Sequence, residues 1–261
     1  MPLRTTTPQE GHPSTVHITT DEGNVREFIH GSRATNPVDQ WPDPDVYVNY
    51  MGQSLSGSEN RNINRTYPGK ADGTLTEMMS YGIVQLINTE NIDVTVDLHE
   101  ASPEYPVINA LIAHERAMNL ASNVVVDMQM EGVQISLEPS PTDLRGLTHR
   151  ELGDHTDTLA LLMEAPNPAQ GRLRDRTDEA LVLTGKSETY VKAGEIGQLY
   201  VPYDENGWPI EVRCARHVFG IERILANYSE MYEEPIIVTG MPSYDELVKN
   251  GMGPYLNEPT T

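Results

Sequence analysis

Two residues with ionisable side chains, His99 and Glu164, each end an apolar stretch. A neutral imidazole is a good zinc ligand, and a carboxylate in a partly desolvated cleft is a suitable general base for a zinc-bound water. The same pattern also fits a His and a Glu that face solvent at the ends of two strands. A second group, Arg61-Asn62-Ile63-Asn64-Arg65-Thr66-Tyr67-Pro68-Gly69, offers two guanidinium groups and amides. Such groups can hold a carboxylate and polarise a carbonyl oxygen. A turn with Arg facing water would use the same residue types.

The elements around these residues follow from capping and periodicity. Thr74-Leu75-Thr76-Glu77 is a capping box, and Met78, Ile83, Leu86 and Ile87 recur at helical spacing, which predicts a helix over 75–89. From Ile92 to His99 apolar and polar residues alternate, so Asp93, Thr95, Asp97 and His99 fall on one face of a strand. His99 then arrives at the carboxyl end of that strand, where α/β sheets build their sites. The run 157–163 suits a strand buried on both faces and ends at Glu164, before Pro166 and Pro168.

Further helices are expected over 113–130, near 218–232 and from Ser243 to Asn250, the last closed by Gly251. Val16–Thr19 and Val25–Phe28 read as a hairpin turning at Asp21-Glu22-Gly23-Asn24. Between His30 and Gly73 there is almost no periodicity. Trp41, Tyr47 and Tyr50 point to an ordered loop there. Neither a repeat nor a dividing linker is evident, so one domain over 1–261 is expected, with an α/β fold: a mixed, mostly parallel sheet flanked by helices.

Composition narrows the chemistry. A formal charge of −21 over 261 residues, with no basic run, argues against nucleic acid as a partner. Fourteen of the 18 cationic residues are Arg, and Arg145, Arg150, Arg172, Arg174 and Arg176 share one stretch; Arg grips carboxylates bidentately, so a local anion site and plain surface pairing both fit. The single Cys214 excludes an intrachain disulfide and a Cys-rich zinc cluster, so His and carboxylates would have to hold a metal. No apolar run approaches the length of a membrane span and no leader is visible, which makes the cytoplasm the default location.

The order of Asn64-Arg65-x-Tyr67-Pro68-Gly69, Asp97-Leu98-His99 and a strand-ending Glu164 resembles the zinc carboxypeptidase superfamily and its succinylglutamate desuccinylase/aspartoacylase branch. The resemblance runs from about Pro2 to past Gly171. It implies one zinc site with His99 as a ligand, a substrate carboxylate held by Asn64 and Arg65, and a scissile carbonyl polarised by Arg61. Glu164 would be the catalytic base. His149 and Arg150 would sit at a mobile pocket rim and contact substrate, though a plain surface loop fits them too. The implied activity is hydrolysis of an amide next to a free carboxylate, on a peptide or an N-acyl amino acid. A homo-oligomer is compatible with it.

The family's His-x-x-Glu zinc motif has no counterpart before Asn64: His12, His17 and His30 are followed three residues later by Thr15, Thr20 and Arg33. The first strands of the sheet and two metal ligands are therefore expected to be missing. Two rival readings follow. One is a metal-free chain that keeps only a carboxylate-binding pocket. The other is a metal site assembled from His30, His99, His149 or His155, or with a partner subunit. His114 is read as part of a polar helix face.

Overall fold

A computed structural model of the chain describes residues 43–176 and 178–255, together with the backbone of the strands β1 (Thr15–Thr19) and β2 (Val25–Ile29). β1 and β2 pair antiparallel, with His17 opposite Glu27, as the hairpin reading expects; its turn, Trp41 and His30 lie outside the described residues. The aperiodic loop holds a second small antiparallel pair, β3 (Val46–Val48) and β4 (Ser54–Ser56), followed by single 3-10 turns at Gly57–Arg61 and Ile63–Arg65. Tyr47 anchors it through a 3.1 Å hydrogen bond from its hydroxyl to Glu77 Oε1, whereas Tyr50 is exposed.

The helix α1 (Leu75–Glu90) starts where the capping box places it: Thr74 Oγ1 accepts from Glu77 N and the Glu77 carboxylate accepts from Thr74 N. It ends at Asn91, whose left-handed conformation (φ 52°) lets its N–H close on Ile87 O. Val84 and Ile87 face inward and join Tyr67, Leu152 and Ala160 in a buried cluster. Val84, Ile87 and Leu152 each contribute roughly 1.5–3 kcal/mol by leaving water.

Four strands are hydrogen-bonded in the order β5-β8-β6-β7, where β5 is Val94–Ala101, β6 Ala110–Ala113, β7 Ser136–Pro139 and β8 Leu159–Pro166. Leu159 N donates to Asp93 O and Asn167 N to Ala101 O, so β5 and β8 run parallel in a constant register; Ser136 N to Asn109 O and Ser140 N to Ala113 O do the same for β7 and β6. The sheet is mixed and partly parallel, and the fold is α/β. As expected of the run before Glu164, β8 is buried on both faces. β5 is not: Val94 and Val96 are only half-buried and Leu98 is 45% exposed, since only one described strand flanks β5.

The chain divides into two compact units, each gathered from three segments: Met1–Asp97, Ala113–Ala117 and Pro139–Leu162 in the first; Leu98–Ile112, Met118–Glu138 and Met163–Thr261 in the second. In the second unit α2 (Met118–Met130) packs on the long α6 (Ile210–Tyr232), and α6 packs on α7 (Tyr244–Asn250). The helix expected over 113–130 therefore begins at Met118, after a 3-10 turn at Glu115–Ala117, because the apolar residues before it form β6. α6 starts earlier than expected, at Ile210 after the N-cap Pro209, and the last helix keeps its Ser243 capping box.

Three helices carried no clear sequence signal: α3 (Thr148–His155) in the first unit, and α4 (Glu179–Thr184) and α5 (Glu188–Glu195) in the second. Among the described residues no helix is long and apolar enough to cross a membrane. The α1 cap is open to direct test: Thr74→Ala should lower stability by about 1 kcal/mol in a urea titration, and an unchanged midpoint would mean the cap contributes nothing.

Candidate functional site

The first unit fixes the side chain of Asn64. Asn62 Oδ1 accepts from Asn64 N (3.0 Å) and turns the chain so that the Asn64 side chain points inward, where only 8% of the residue remains exposed. There Asn64 Oδ1 accepts two hydrogen bonds from one residue, Thr148 N at 2.7 Å and Thr148 Oγ1 at 2.8 Å. An amide whose oxygen takes two donors has a fixed orientation, with its NH2 edge directed away from them. Among the described residues that Nδ2 has no hydrogen-bond partner. Arg65 bends back so that its Nη1 donates to Asn64 O (2.6 Å), and it has no acidic partner among the described residues. Two neighbouring residues thus present an amide NH2 and a guanidinium as donors.

The backbone around this pair is pinned. Asn49 Nδ2 donates to Arg65 O (3.2 Å) and Arg145 O (3.3 Å), and Tyr67 N donates to Gly146 O (3.3 Å). Gly146 has φ +87°, and a Cβ there would collide with Arg65 O. Gly69, the last residue of the motif, has φ +75°, and a Cβ there would collide with Glu77 O. Arg61 is engaged differently. It is 5% exposed, and its Nε and Nη2 grip the two oxygens of Asp43 at 2.7 and 2.8 Å, which holds the Asp43 carboxyl below its usual range. That bidentate pair makes Arg61 a brace for the loop.

His149 and Arg150 lie in the first turn of α3 and are buried, not on a plain surface loop. His149 Nδ1 is 2.7 Å from Ser140 Oγ. Arg150 donates to both oxygens of Glu115 (2.9 and 2.8 Å) and to Asp154 Oδ1 (2.6 Å), and so is committed to internal acids. His114 is also corrected: it follows β6 rather than lying on a helix face, is 6% exposed, and its Nε2 sits 3.1 Å from Asp154 and 3.0 Å from Glu115. Its other nitrogen accepts from Arg116 N (3.4 Å).

In the second unit the parallel register of β5 and β8 brings His99 and Glu164 level, each two residues before its strand's end. His99 Nδ1 is 3.8 Å from Glu164 Oε1, with the side chains 23% and 14% exposed. His217 of α6 supports the strand from behind, with Nε2 3.1 Å from His99 O. A carbonyl can only accept, so Nε2 carries the proton. Burial pushes His217 below the ordinary imidazole value, which keeps it neutral. Next to His99, Glu100 accepts from Arg213 and from Asn167 Nδ2 (2.6 Å).

Of the Arg group after Glu164, Arg174 donates to Gly171 O (2.7 Å) and Arg176 lies 3.3 Å from Asp178. Among the described residues no three His, Cys, Asp or Glu side chains are grouped to hold a metal; His30 lies outside the described residues. His155 lies 3.2 Å from the buried Glu151.

The double acceptance at Asn64 and the Arg65 back-bond had no signal beyond the motif itself, and the acidic partners of Arg150 had none. No family model, curated protein or solved structure matches the chain significantly.

One electrostatic consequence is measurable. The hydrogen bonds from Arg150 hold the Glu115 carboxyl down at about 2, against an ordinary glutamate value of 4.5. A carboxyl depressed on folding stabilises fully above its unfolded value and loses that contribution as pH falls through the folded one. The stability difference between the protein and a Glu115→Gln variant should therefore be largest above pH 4.5 and shrink towards pH 2, as followed by urea unfolding at a series of pH values. A difference independent of pH would show that Arg150 does not set the ionisation of Glu115.

Proposed function

We propose that this chain is a hydrolase of an amide bond next to a free carboxylate, of the metal-dependent kind that the carboxypeptidase and aspartoacylase resemblance implies. The observation that carries the reading is the fixed Asn64 amide. Its oxygen is occupied by Thr148 at 2.7 and 2.8 Å, so its NH2 and the Arg65 guanidinium are left to a ligand that only accepts. A carboxylate has that character, and Arg meets it with two parallel donors. Recognition is assigned to this pair.

The family resemblance assigns proton handling to Glu164. In this reading the Glu164 carboxylate takes a proton from the attacking water, whose oxygen bonds to the carbonyl carbon, and later delivers it to the amine nitrogen as the C–N bond breaks. Zinc, if bound, would polarise the carbonyl and the water. His99 is the one described residue assigned to it, and no step here is routed through the metal. Arg61 is given no part in polarising the carbonyl, because Asp43 takes its Nε and Nη2.

The direct test combines metal analysis with turnover of N-acyl amino acids and short peptides. One zinc per chain, lost in His99→Ala, together with hydrolysis abolished in Glu164→Gln, is the expected result. Arg65→Ala should raise KM about 10- to 100-fold with kcat changed less, as expected when a charge-assisted contact made in both ground and transition states is removed. Carboxylate binding without zinc or turnover would overturn the hydrolase reading in favour of a metal-free carboxylate-binding protein.

A further inference from the structure

The four-stranded sheet has two edges, and they are built differently. The β7 edge is four residues long and ends at Pro139, which lacks a backbone donor; short strands and prolines protect an edge against further pairing. β5, at the other edge, is eight residues long and carries neither Lys nor Pro. Asp93 O and Ala101 O accept from Leu159 N and Asn167 N, so the odd-numbered residues from Asp93 to Ala101 turn their backbone groups to β8. Both backbone groups of a strand residue point to the same side, and the side alternates along the chain. Val94, Val96, Leu98 and Glu100 therefore turn their N–H and C=O groups away from β8, and among the described residues no strand meets them there. An extended segment laid along this edge would take up the row of donors and acceptors.

The side chains say which segment. We infer that the open edge of β5 pairs antiparallel with β5 of a second copy of this chain, about a two-fold axis at Val96. In that register Val94 lies opposite Leu98 of the second copy, and Val96 opposite its own equivalent. Each of these pairs exchanges two backbone hydrogen bonds and sets apolar side chain against apolar side chain, which covers Leu98, 45% exposed in the single chain. On the other face Asp93 lies opposite His99 and Thr95 opposite Asp97, in the closer pairs that share no backbone bond.

Charge selects this register over its neighbours. An axis at Asp97 sets Asp97 against Asp97, and an axis at Thr95 sets Asp93 against Asp97; like charges directly opposite destabilise a pair of strands. An axis at Leu98 sets Val96 against Glu100. A strand that complements itself about a two-fold axis suits a closed dimer, in which one patch serves both copies. The result is a continuous sheet with four strands from each copy. It stands whether or not the chain is a hydrolase.

The experiment measures the mass of the full chain in solution by size exclusion with light scattering, and adds cysteine crosslinking in a Cys214→Ser background. The unaltered protein should run at twice the chain mass. Leu98→Lys sets an unpaired ammonium against Val94 of the second copy and should weaken association about tenfold or more, with the far-ultraviolet circular dichroism unchanged because Leu98 is exposed in the single chain. Val96→Cys should form a disulfide-linked dimer on mild oxidation, since directly opposite residues lie within disulfide reach. Leu98→Cys, which faces Val94, should not.

A monomer at every concentration would overturn the pairing. So would a dimer that Leu98→Lys leaves intact, or one that crosslinks through Leu98→Cys and not through Val96→Cys. Should Leu98→Lys fail to fold, the contrast between the two cysteine variants decides.

Discussion

A fully buried carboxylate organises the first unit. Glu151 is 0% exposed, and burying an ion costs several kcal/mol unless it is paired and hydrogen-bonded on all sides. Here Arg145 meets both its oxygens at 2.7 Å, Gly146 N donates at 2.9 Å and His155 lies at 3.2 Å. Those partners leave the segment 145–148 little freedom. Gly146 O receives Tyr67 N, and Thr148 delivers both of its donors to Asn64. The orientation of the Asn64 amide is thus a remote consequence of one satisfied charge. Removing Arg145 alone would be worse than removing both partners, because an unpaired buried carboxylate would remain.

What the sequence discloses about this arrangement follows the range of each interaction. The start of α1 is legible because Thr74 and Glu77 are three residues apart and satisfy each other, and β8 is legible because burial on both faces leaves an unbroken apolar run. By contrast α3 reads Thr-His-Arg-Glu-Leu-Gly-Asp-His, a polar string with Leu147 where a capping side chain would stand. It is helical because Arg150, Glu151 and Asp154 have partners as far away as Glu115. No local pattern records them. The same cause misplaced His114: four apolar residues before it, Ala110–Ala113, fit a short strand or a helix equally well, and only pairing decides between them.

At the candidate site the division is similar. The motif around Asn64 and the strand-end positions of His99 and Glu164 could be read in advance, because a short local turn sets the first and local strand patterns set the second, whereas their level placement depends on the pairing of β5 with β8. Which donors of Asn64 and Arg65 stay open could not be read, since that depends on Thr148, 84 residues further along. Nor could the commitment of Arg61 to Asp43, whose 2.7 and 2.8 Å contacts take the guanidinium edge that a substrate carbonyl would need.

The disposition of the cations gives the strongest physical reason to regard Arg65 as functional. With 39 acidic residues against 18 cations, carboxylate partners are abundant, and Arg61, Arg145, Arg150 and Arg213 each take one or more. Arg216 is buried and turns to the amide oxygen of Asn109 and the carbonyl of Gln134, which fix it within the fold. Arg65 does neither. It is only partly buried and is held by a single bond to the carbonyl beside it, with its neighbour's amide NH2 also open. A guanidinium on so acidic a chain could lower its free energy by moving to any nearby carboxylate. That it is instead fastened next to a fixed amide, on a loop pinned by Asn49 and Gly146, is what an anion-binding pair requires: donors whose orientation is set before the ligand arrives.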